Sequence, residues 1–482
     1  MLPVQTKQTR YLTEPSLHPR SPGGNGPARA SGGAWPATTP VGHGPTLWVM
    51  SGSDRLDWLA KPSLEIIPKG PVHGRVEAPA SKSLTNRLLV IAALAEGRSV
   101  LSRLLESDDT RAMREGLGSL GARIAAEGVS TQVTGIAGHP VAGDTPVNAR
   151  LSGTTLRFLA AVALLAAGTV ILDGEEPLRR RPISPLLEVL RAAGADLETD
   201  RGRPPLRISG HGLAGGRLRV DASASSQFAT ALLLIGPYAS DDLVLEVTGL
   251  EELGYVRLTV QAMARWGAEV SETGPGVFKI GAGAHYLSRD EEVEHDASAA
   301  AHLYALAAAT GGSVTVVNAL ETAQPDGGMI EILSQMGASF ERGPGGTTVE
   351  RRGELRGVEV NLASMPDQVP TVAVLGALAR GDTTIRGAAI VRGHESDRIR
   401  AVATELKRLG ANVVETPDGL TVRGGVPLHG GLVKTYHDHR IAMAFTALGA
   451  AVHGVEISDP SCVAKTYPGF FYDAASLGVG IR

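Results

Sequence analysis

Ala80-Ser81-Lys82-Ser83 introduces an Ala- and Leu-rich run, and five equivalent polar stretches each introduce another. They are Leu151-Ser152-Gly153-Thr154-Thr155, Ser225-Ser226-Gln227, Asp296-Ala297-Ser298, Pro366-Asp367-Gln368 and Asp438-His439-Arg440. Counted between Lys82, Gly153, Ser226, Ala297, Asp367 and Asp438, the intervals are 71, 73, 71, 70 and 71 residues. These near-equal intervals indicate a sixfold internal repeat in which one helix begins at each stretch.

A second marker, a glycine directly after an apolar residue, recurs with the same period. The glycines are Gly121, Gly194, Gly267, Gly337, Gly410 and Gly478. A glycine in this setting is typical of a helix C-cap before a strand, so each repeat is predicted to hold a second helix that ends there. β-Branched stretches between the helices, such as residues 313–317 and 383–385, are typical of strands. The repeat is therefore predicted to be an α/β unit of about 70 residues.

The helix starts predict an anion-binding cleft, because a helix N-terminus exposes unpaired N–H groups and the positive end of the helix dipole. The first-helix starts carry Lys82, Arg87, Ser225, Ser226 and Arg440, and the second-helix starts carry Arg181, Tyr255, Glu395, Arg398 and Lys465. If the repeats pack in register, many of these groups face one cleft.

Size and composition restrict the class of protein. A chain of 482 residues exceeds one ordinary core and indicates two or more domains. Its 46 basic and 50 acidic residues give a net charge of -4, which disfavours nucleic acid and anionic membranes as partners. The longest apolar run, residues 158–172, is shorter than the roughly 20 residues that span a bilayer. Cys462 is the only cysteine, which fits a reducing compartment, so we expect a soluble, cytoplasmic protein.

Residues 1–60 differ from the rest of the chain, because they are rich in Pro, Gly, Ser and Thr and have no acidic residue between Glu14 and Asp54. Such a segment buries too little apolar surface to order itself, so a disordered N-terminal extension is predicted. It is either a transit-like or regulatory tail, or a consequence of start assignment with Met50 as the true initiator. We favour the second interpretation or a plain disordered tail.

Seven stretches, in this order and spacing, resemble the 5-enolpyruvylshikimate-3-phosphate synthase family. They are Ala80-Ser81-Lys82-Ser83-Leu84-Thr85-Asn86-Arg87, Ser152-Gly153-Thr154-Thr155-Leu156-Arg157, Arg181-Pro182-Ile183, Ser225-Ser226-Gln227-Phe228, Glu395-Ser396-Asp397-Arg398, Tyr436-His437-Asp438-His439-Arg440 and Ala464-Lys465-Thr466-Tyr467-Pro468. The agreement runs from about Leu64 to the C-terminus. No single stretch is specific, but seven in order on a sixfold repeat are.

The resemblance implies a 3-phosphoshikimate 1-carboxyvinyltransferase of the shikimate pathway to chorismate and the aromatic amino acids. Such an enzyme moves the enolpyruvyl group of phosphoenolpyruvate to the 5-hydroxyl of shikimate 3-phosphate and releases phosphate. The implied fold is the two-domain enolpyruvyl-transferase fold, an inside-out α/β barrel of six βαβαββ repeats. Residues 64–80 plus 294–482 would form one domain (repeats 4–6) and residues 81–293 the other (repeats 1–3), with the active site in the cleft between them.

The resemblance also assigns site residues, and their chemistry suits two polyanionic substrates that need convergent Arg and Lys. By motif position, phosphoenolpyruvate would be held by Lys82, Gly153, Arg181, Gln227, Arg398, Arg440 and Lys465. Shikimate 3-phosphate would be held by Lys82, Ser83, Arg87, Ser225, Ser226, Gln227, Tyr255 and Asp367. Gly153 matches a position where the backbone approaches phosphoenolpyruvate and a side chain would obstruct it.

The reaction needs a proton delivered to the methylene carbon of phosphoenolpyruvate, while the 5-hydroxyl loses one. A tetrahedral intermediate follows, and elimination of phosphate removes a methyl proton. The catalytic candidates are Lys82, Asp367, Glu395 and His439. We expect Asp367 to assist the hydroxyl, and Glu395 with Lys82 to handle protons at the enolpyruvyl carbon, although the sequence does not assign each step.

Four positions depart from the commonest form of the family. Leu151 and Ile390 stand where the family usually has Asn, His394 where it usually has Lys, and Glu252 where it usually has Ser. A carboxylate at position 252 would repel a phosphate unless it turned away or paired with a cation. These four residues are therefore not assigned to the site.

Two other functions remain open. One is the related transferase that acts on UDP-N-acetylglucosamine, but that family typically has a catalytic cysteine in its first half, whereas Cys462 lies near the C-terminus. The other is a non-catalytic anion-binding homologue. No metal or other cofactor is predicted, because His437 and His439 do not share a helix face and no further His or Cys cluster supports them. We expect a monomer that binds small molecules only.

Overall fold

The computed structural model describes residues 58–482. The predictions for residues 1–57, including Met50 as initiator, lie outside the described residues. Residues 58–60 form a turn, and the indole ring of Trp58 stacks on the ring of Tyr472 with a centroid separation of 4.8 Å.

Helices and strands follow each other in the order that the repeat predicts. The α-helices are α1 (Lys82–Leu94), α2 (Asp108–Ser119), α3 (Gly153–Leu164), α4 (Glu176–Arg179), α5 (Ser184–Ala192), α6 (Gln227–Ile235), α7 (Gly254–Arg265), α8 (Ala297–Thr310), α9 (Met329–Gln335), α10 (Val369–Leu378), α11 (Arg398–Arg408), α12 (His439–Gly449) and α13 (Phe470–Ser476). The strands of the first half are β1 (Ser63–Ile67), β2 (His73–Val76), β3 (Arg98–Ser102), β4 (Arg123–Glu127), β5 (Ser130–Thr134), β6 (Gly143–Asn148), β7 (Gly168–Asp173), β8 (Asp196–Asp200), β9 (Arg203–Gly210), β10 (Gly216–Asp221), β11 (Leu243–Thr248) and β12 (Val270–Gly274). Those of the second half are β13 (Val277–Ile280), β14 (Glu291–Glu292), β15 (Ser313–Val316), β16 (Ser339–Gly343), β17 (Gly346–Glu350), β18 (Glu359–Asn361), β19 (Asp382–Arg386), β20 (Asn412–Thr416), β21 (Gly419–Arg423), β22 (Gly431–Val433), β23 (Val455–Ser458) and β24 (Gly480–Ile481).

The predicted first-helix starts are confirmed to within two residues, and side chains of the polar stretches cap four of the helices, α1, α3, α8 and α12. Ser152 Oγ accepts a hydrogen bond from Thr155 N at 3.2 Å, and Asp296 Oδ1 accepts one from Ala299 N at 2.8 Å. In the fifth repeat a 3-10 turn, Pro366–Gln368, precedes α10. The six predicted C-cap glycines have φ between +89° and +110°, so the second-helix ends are confirmed as well.

The strands form six four-stranded sheets with one common pattern, a parallel pair extended by antiparallel strands. The sheet orders are β14-β3-β5-β4, β6-β7-β9-β8, β10-β11-β13-β12, β2-β15-β17-β16, β18-β19-β21-β20 and β22-β23-β1-β24. Three sheets take strands from far along the chain. β14 completes the first sheet, β2 completes the fourth, and β1 lies between β23 and β24 in the last. Each sheet thus fits the predicted βαβαββ repeat.

The helices lie inside and the sheets outside, as expected of an inside-out barrel. The first helices of three repeats pack on one another: α1, α3 and α6 in one group, and α8, α10 and α12 in another. Every residue of α3 and α12 is buried. Two separate hydrophobic cores result, which we name the continuous core (residues 80–293) and the split core (residues 64–78 and 299–479). In residues 58–482 no helix is both long enough and apolar enough to cross a membrane.

Candidate active site

Arg398, the first residue of α11, joins three carboxylates. Its Nη1 lies 2.6 Å from Asp367 Oδ1, its Nη2 lies 3.1 Å from Glu395 Oε2, and its Nε lies 2.8 Å from Asp438 Oδ2. Arg398 is only 1 % exposed, and Asp438 is fully buried. A buried guanidinium fixed in this way orients all three carboxylates, because its five N–H donors are held in one plane.

Glu395 extends the cluster to residues from both halves of the chain. Its Oε1 lies 3.0 Å from Lys465 Nζ and 3.4 Å from Arg181 Nη1. Arg181 precedes α5, whereas Lys465 lies in the 3-10 turn Pro460–Lys465 before α13. We name the set that surrounds Arg398 the carboxylate network. It consists of Arg181, Asp367, Glu395, Arg398, Asp438, Arg440 and Lys465.

Two carboxylates of this network are held in their ionised form. Burial opposes the charge of Asp367, but Arg398, His394 and Arg440 outweigh it and hold its pKa well below the usual value. Burial also opposes the charge of Glu395, and there Lys465, Arg181 and Arg398 hold the pKa well below the usual value. Both groups therefore act as acceptors at neutral pH unless a bound ligand changes their surroundings.

Arg440 and His439, at the start of α12, carry polar atoms that face no protein partner. Arg440 Nη2 lies 3.5 Å from Asp367 Oδ2, but its buried Nε and Nη1 hydrogen-bond to no residue in the described part of the chain. Neither ring nitrogen of buried His439 has a hydrogen-bond partner among residues 58–482, although Nδ1 lies 4.0 Å from Asp438 Oδ1. Burial, then the charges of Arg440 and Lys82, hold the pKa of His439 well below its usual value. Free guanidinium N–H groups of this kind are donors available to an anion.

Within residues 58–482 the hydrogen bonds of Arg87, on α1, all go to uncharged oxygen atoms. Its Nε donates to Thr259 Oγ1 at 2.8 Å, its Nη1 to the Ser83 carbonyl at 2.9 Å, and its Nη2 to the Tyr255 carbonyl at 3.1 Å. Thr230 Oγ1 lies 3.4 Å from Nη2. We name Ser83, Arg87, Thr230, Tyr255 and Thr259 the arginine pocket. Burial lowers the pKa of Arg87 to about 10, so its charge is retained at neutral pH without a carboxylate beside it.

Arg157 on α3 connects Gly153 with Gln227. Its Nη1 donates to Gln227 Oε1 at 2.6 Å, and its Nη2 donates to the Pro182 carbonyl at 3.0 Å. A Cβ at Gly153 would lie 2.8 Å from Arg181 Nη1 and 3.2 Å from Arg157 Nη1. Gly153 therefore leaves room for two guanidinium groups at the start of α3, and a larger residue would displace them.

The remaining predicted residues lie at first-helix starts. Lys82 Nζ is 3.5 Å from Asp109 Oδ2, and the Lys82 backbone N–H donates to Asp296 Oδ2 at 2.9 Å. Ser225 is buried, and its Oγ accepts from Gln227 N at 3.3 Å. Ser226 occupies the N-cap position of α6 but makes no capping hydrogen bond with its side chain. Its hydroxyl is therefore not committed to its own helix.

Sequence reasoning missed three residues of the site: Arg157, Asp438 and Asp326. Arg157 lies four residues after Gly153 on the same helix face, and Asp438 lies beside Arg440 in a quoted stretch. Asp326, which forms no part of any quoted stretch, precedes Gly337 by 11 residues, much as Arg398 precedes Gly410 by 12. The repeat phase was therefore a signal that could have found Asp326.

The four departures from the family pattern occupy different surroundings. The Leu151 carbonyl accepts from Lys465 Nζ at 3.3 Å, a contact that does not involve its side chain. Glu252 is exposed, and Ile390 packs against the split core. His394 Nδ1 lies 3.3 Å from Arg398 Nη1 and 3.5 Å from Asp367 Oδ1. Burial lowers the pKa of His394, so a neutral imidazole stands beside Asp367 at neutral pH.

The arrangement combines donors for anions with ionised carboxylates that can accept a proton. A family model described as EPSP synthase (3-phosphoshikimate 1-carboxyvinyltransferase) matches residues 66–473. Among curated proteins, the 3-phosphoshikimate 1-carboxyvinyltransferase of Methanoculleus marisnigri is 42% identical over 407 residues, which cover 83% of this chain and 96% of that protein. The enzyme of the same name from Nostoc punctiforme is 40% identical over 407 residues, covering 83% and 95%.

Solved structures show the same likeness. An EPSP synthase from Acinetobacter baumannii superposes with a TM-score of 0.73 at 26% identity, covering 88% of this chain and 100% of that chain. The enolpyruvyl transferase NikO from Streptomyces tendae gives a TM-score of 0.67 at 21% identity, covering 87% and 98%. The second likeness concerns the fold alone.

Proposed function

Because this chain belongs to the EPSP synthase (3-phosphoshikimate 1-carboxyvinyltransferase) family, we propose that it transfers the enolpyruvyl group of phosphoenolpyruvate to the 5-hydroxyl of shikimate 3-phosphate. The product retains the 3-phosphate of shikimate, and the phosphate of phosphoenolpyruvate is released as inorganic phosphate. The reaction is a step of the shikimate pathway towards chorismate and the aromatic amino acids. Both substrates are small polyanions, which suits the cationic side chains at the helix starts.

The observation that carries the proposal is the meeting of free donors and ionised carboxylates in the carboxylate network. Arg440 offers buried Nε and Nη1 donors that bond to no residue in the described range 58–482, and Arg181 Nε is likewise buried without a partner there. These groups, with Lys465 and Arg398, are proposed to hold phosphoenolpyruvate, together with Lys82, Gly153 and Gln227. The arginine pocket, with Ser225 and Ser226, is proposed to hold shikimate 3-phosphate. Lys82, Gln227 and Asp367 complete its site.

The proposed chemistry is an addition followed by an elimination. In the addition the 5-hydroxyl oxygen bonds to C2 of phosphoenolpyruvate and gives its proton to Asp367, while C3 receives a proton and becomes a methyl group. In the elimination the bond from C2 to the phosphate oxygen breaks, the proton taken up by Asp367 passes to the departing phosphate, and a methyl proton leaves to restore the double bond. Glu395, with Lys82 and His439 near it, is proposed to exchange the protons at C3. No electrons are gained or lost overall.

The two cores support a proposal about domains. The continuous core and the split core would be the bodies of two domains, residues 81–293 and residues 64–80 plus 294–482, with both substrates between them. Closure of the domains would exclude water and protect the tetrahedral intermediate. We also propose a cytoplasmic monomer, because the substrates are small metabolites and no residue of a second copy is needed to complete the site.

The test is phosphate release from phosphoenolpyruvate with purified protein, with either shikimate 3-phosphate or UDP-N-acetylglucosamine as acceptor. We expect release with shikimate 3-phosphate only. Release with the UDP sugar alone would assign the chain to the other transferase activity, and release with neither would identify a non-catalytic anion-binding homologue.

A further inference from the structure

Asp326 is a buried carboxylate of the split core that the proposed chemistry does not use. It lies in the 3-10 turn Pro325–Gly328 and is 1 % exposed. Its Oδ1 accepts hydrogen bonds from Ser298 Oγ at 2.8 Å and from Gln368 Nε2 at 2.7 Å. Gln368 directly follows Asp367, so Asp326 holds the chain next to the proposed acceptor of the 5-hydroxyl proton.

The other oxygen of Asp326 reaches the continuous core. The Tyr255 hydroxyl donates to Asp326 Oδ2, and the ring of Tyr255 packs against the continuous core. The carbonyl of the same tyrosine accepts from Arg87 Nη2. A line of direct contacts therefore runs from Arg87 in the arginine pocket, through Tyr255 and Asp326, to Gln368.

The residues before Asp326 touch the continuous core at two more points. Ser81 Oγ donates to Gln324 Oε1 at 2.7 Å. Pro325 lies so close to Gly254 that a Cβ added at position 254 would be 2.7 Å from Pro325 Cγ. Three consecutive residues of the split core thus meet the continuous core, which requires the two cores to be in close contact here.

The surroundings of Asp326 disfavour its charge, but three hydrogen-bond donors surround its carboxylate. Asp326 faces the charges of Asp367 and Arg440, and burial followed by the nearby Asp367 raises its pKa. Ser298, Gln368 and Tyr255 each donate a hydrogen bond that offsets part of the desolvation of this buried carboxylate. Separation of the two cores would remove the Tyr255 hydroxyl and leave one oxygen of Asp326 without that partner.

We propose that Asp326 is a positioning residue that locks the two cores together around the substrates and, through Gln368, holds Asp367 in its reactive position. The kinetic part of this inference rests on the proposed function. Asp326 itself is not expected to touch a substrate. Its role is to make the placement of Asp367 depend on contact between the cores.

The first experiment compares kcat/KM for shikimate 3-phosphate in Asp326→Asn, Tyr255→Phe, the double variant and the matched control Ser298→Ala. Ser298→Ala removes a hydrogen bond to the same carboxylate without crossing between the cores. We expect kcat/KM to fall at least about tenfold in both Asp326→Asn and Tyr255→Phe, because small misplacements of reacting groups are costly. Ser298→Ala should stay within about twofold of the wild type, since nearby structural losses of this kind are small.

The double variant separates this role from direct substrate binding by Tyr255. If the two side chains act through their mutual hydrogen bond, the double variant should lie within about twofold of Asp326→Asn alone. A loss of kcat/KM in the double variant equal to the product of the two single losses would overturn the proposal. It would mean that the tyrosine hydroxyl acts independently of Asp326. Unchanged kcat/KM with a lowered unfolding temperature would also overturn it, by assigning Asp326 a purely structural role.

The second experiment needs no turnover and so stands apart from the proposed function. Small-angle scattering is recorded with increasing shikimate 3-phosphate for the wild type, Asp326→Asn and Ser298→Ala. We expect the radius of gyration to decrease in the wild type and in Ser298→Ala, and Asp326→Asn to need at least about tenfold more ligand for the same decrease. Identical titrations of the wild type and Asp326→Asn, or a constant radius of gyration in the wild type, would overturn the lock. Absence of phosphate release would overturn only the proposed function.

Discussion

Arg87 and Arg398 are both buried on helices, yet their partners are opposite in kind. Arg87, in the continuous core, is surrounded by hydroxyl and carbonyl oxygens, and burial lowers its pKa to about 10. Arg398, in the split core, contacts three carboxylates. Burial lowers its pKa as well, but Asp438, Asp367 and Glu395 outweigh that effect and raise it.

The difference separates two uses of a buried cation. A guanidinium held by neutral oxygens keeps its whole charge for an incoming anion, at a cost in desolvation that the anion offsets on binding. The charge of a guanidinium held by carboxylates is largely neutralised by them. The guanidinium instead fixes the position and the protonation state of those carboxylates. We therefore propose that shikimate 3-phosphate is bound chiefly by the arginine pocket and that proton transfer takes place in the carboxylate network.

The largest effect is expected from Arg398→Met, which leaves the buried Asp438 and the partly buried Asp367 and Glu395 without their shared cation. Breaking a buried ion pair in this way costs about 3–5 kcal/mol of unfolding free energy. Turnover should fall by at least about 1000-fold, because the network loses its electrostatic preorganisation. Urea unfolding and phosphate release measure the two quantities. Arg400→Met, two residues along the same helix and exposed, is the control and should change neither.

Glu395→Gln is expected to have the next largest effect, and it should act on turnover more than on stability. The amide keeps the shape of the side chain but cannot accept a proton, so kcat should fall at least about 100-fold. The circular dichroism spectrum should remain that of the wild type. Glu354→Gln, whose carboxylate forms an exposed pair with Arg380 at 3.5 Å, is the control. Near-full turnover in Glu395→Gln would remove this residue from the chemistry.

Arg87→Lys tests the role of the arginine pocket. A lysine cannot reach the oxygens of Thr259, Ser83 and Tyr255 together, so the charge would no longer be held in place. We expect KM for shikimate 3-phosphate to rise about tenfold, equal to about 1.4 kcal/mol, with kcat changed much less. Arg111→Lys, an exposed arginine on α2, is the control. A fall in kcat with constant KM would assign Arg87 to the chemistry. It would contradict the division between binding by the arginine pocket and proton transfer by the carboxylate network.

Gly153→Ala should give a smaller effect that reports on Arg181. The added Cβ would lie 2.8 Å from Arg181 Nη1, so the guanidinium must shift by a few tenths of an ångström. We expect KM for phosphoenolpyruvate to rise about fivefold, equal to about 1 kcal/mol, without loss of stability. Gly118→Ala, on α2 with no atom within 4 Å of the added Cβ, is the matched control. Equal KM values in the two variants would contradict the crowding argument.

The smallest effect concerns stability between about pH 7 and pH 5. The pKa values of Asp367 and Glu395 are lowered on folding, so their contribution is present above the unfolded pKa and is lost as the pH falls through the folded pKa. The unfolding free energy should therefore not depend on these groups in that range, and should fall only below about pH 4. Urea unfolding of the wild type and of Asp367→Asn across this range measures it. A wild-type loss above about pH 5 that Asp367→Asn abolishes would contradict the assignment.

The repeat and its helix boundaries were predictable from the sequence because they depend on local chemistry. A capping residue such as Ser152 or Asp296 bonds to N–H groups within its own first turn, and a glycine such as Gly267 is needed where φ is positive. These signals lie within a few residues of the feature that they determine. They therefore do not depend on how the rest of the chain folds.

Contacts between the cores were not predictable in this way. Tyr255 and Asp326 are 71 residues apart, and their hydrogen bond exists only because two separately folded cores meet. The departures show the reverse case, since Leu151 contacts Lys465 through its backbone carbonyl and the identity of its side chain leaves that contact unchanged. A comparison of motifs considers side-chain identity only. It therefore could neither find the hydrogen bond between Tyr255 and Asp326 nor show that the backbone of Leu151 makes the contact with Lys465.

The place of β1 in the last sheet has a consequence for biosynthesis on the ribosome. Ser63 pairs with Ser458, 395 residues later, whereas the continuous core needs nothing beyond residue 293. At 5–20 residues per second, the remaining 189 residues take about 10–40 s to emerge, and β1 lacks its partner strands β23 and β24 until the end of that time, whereas β15, the partner of β2, begins only 20 residues after residue 293. Nascent chains stalled well past residue 293 should already protect residues 80–293 from protease. Residues 63–67 would then be the segment that a chaperone must shield until synthesis ends.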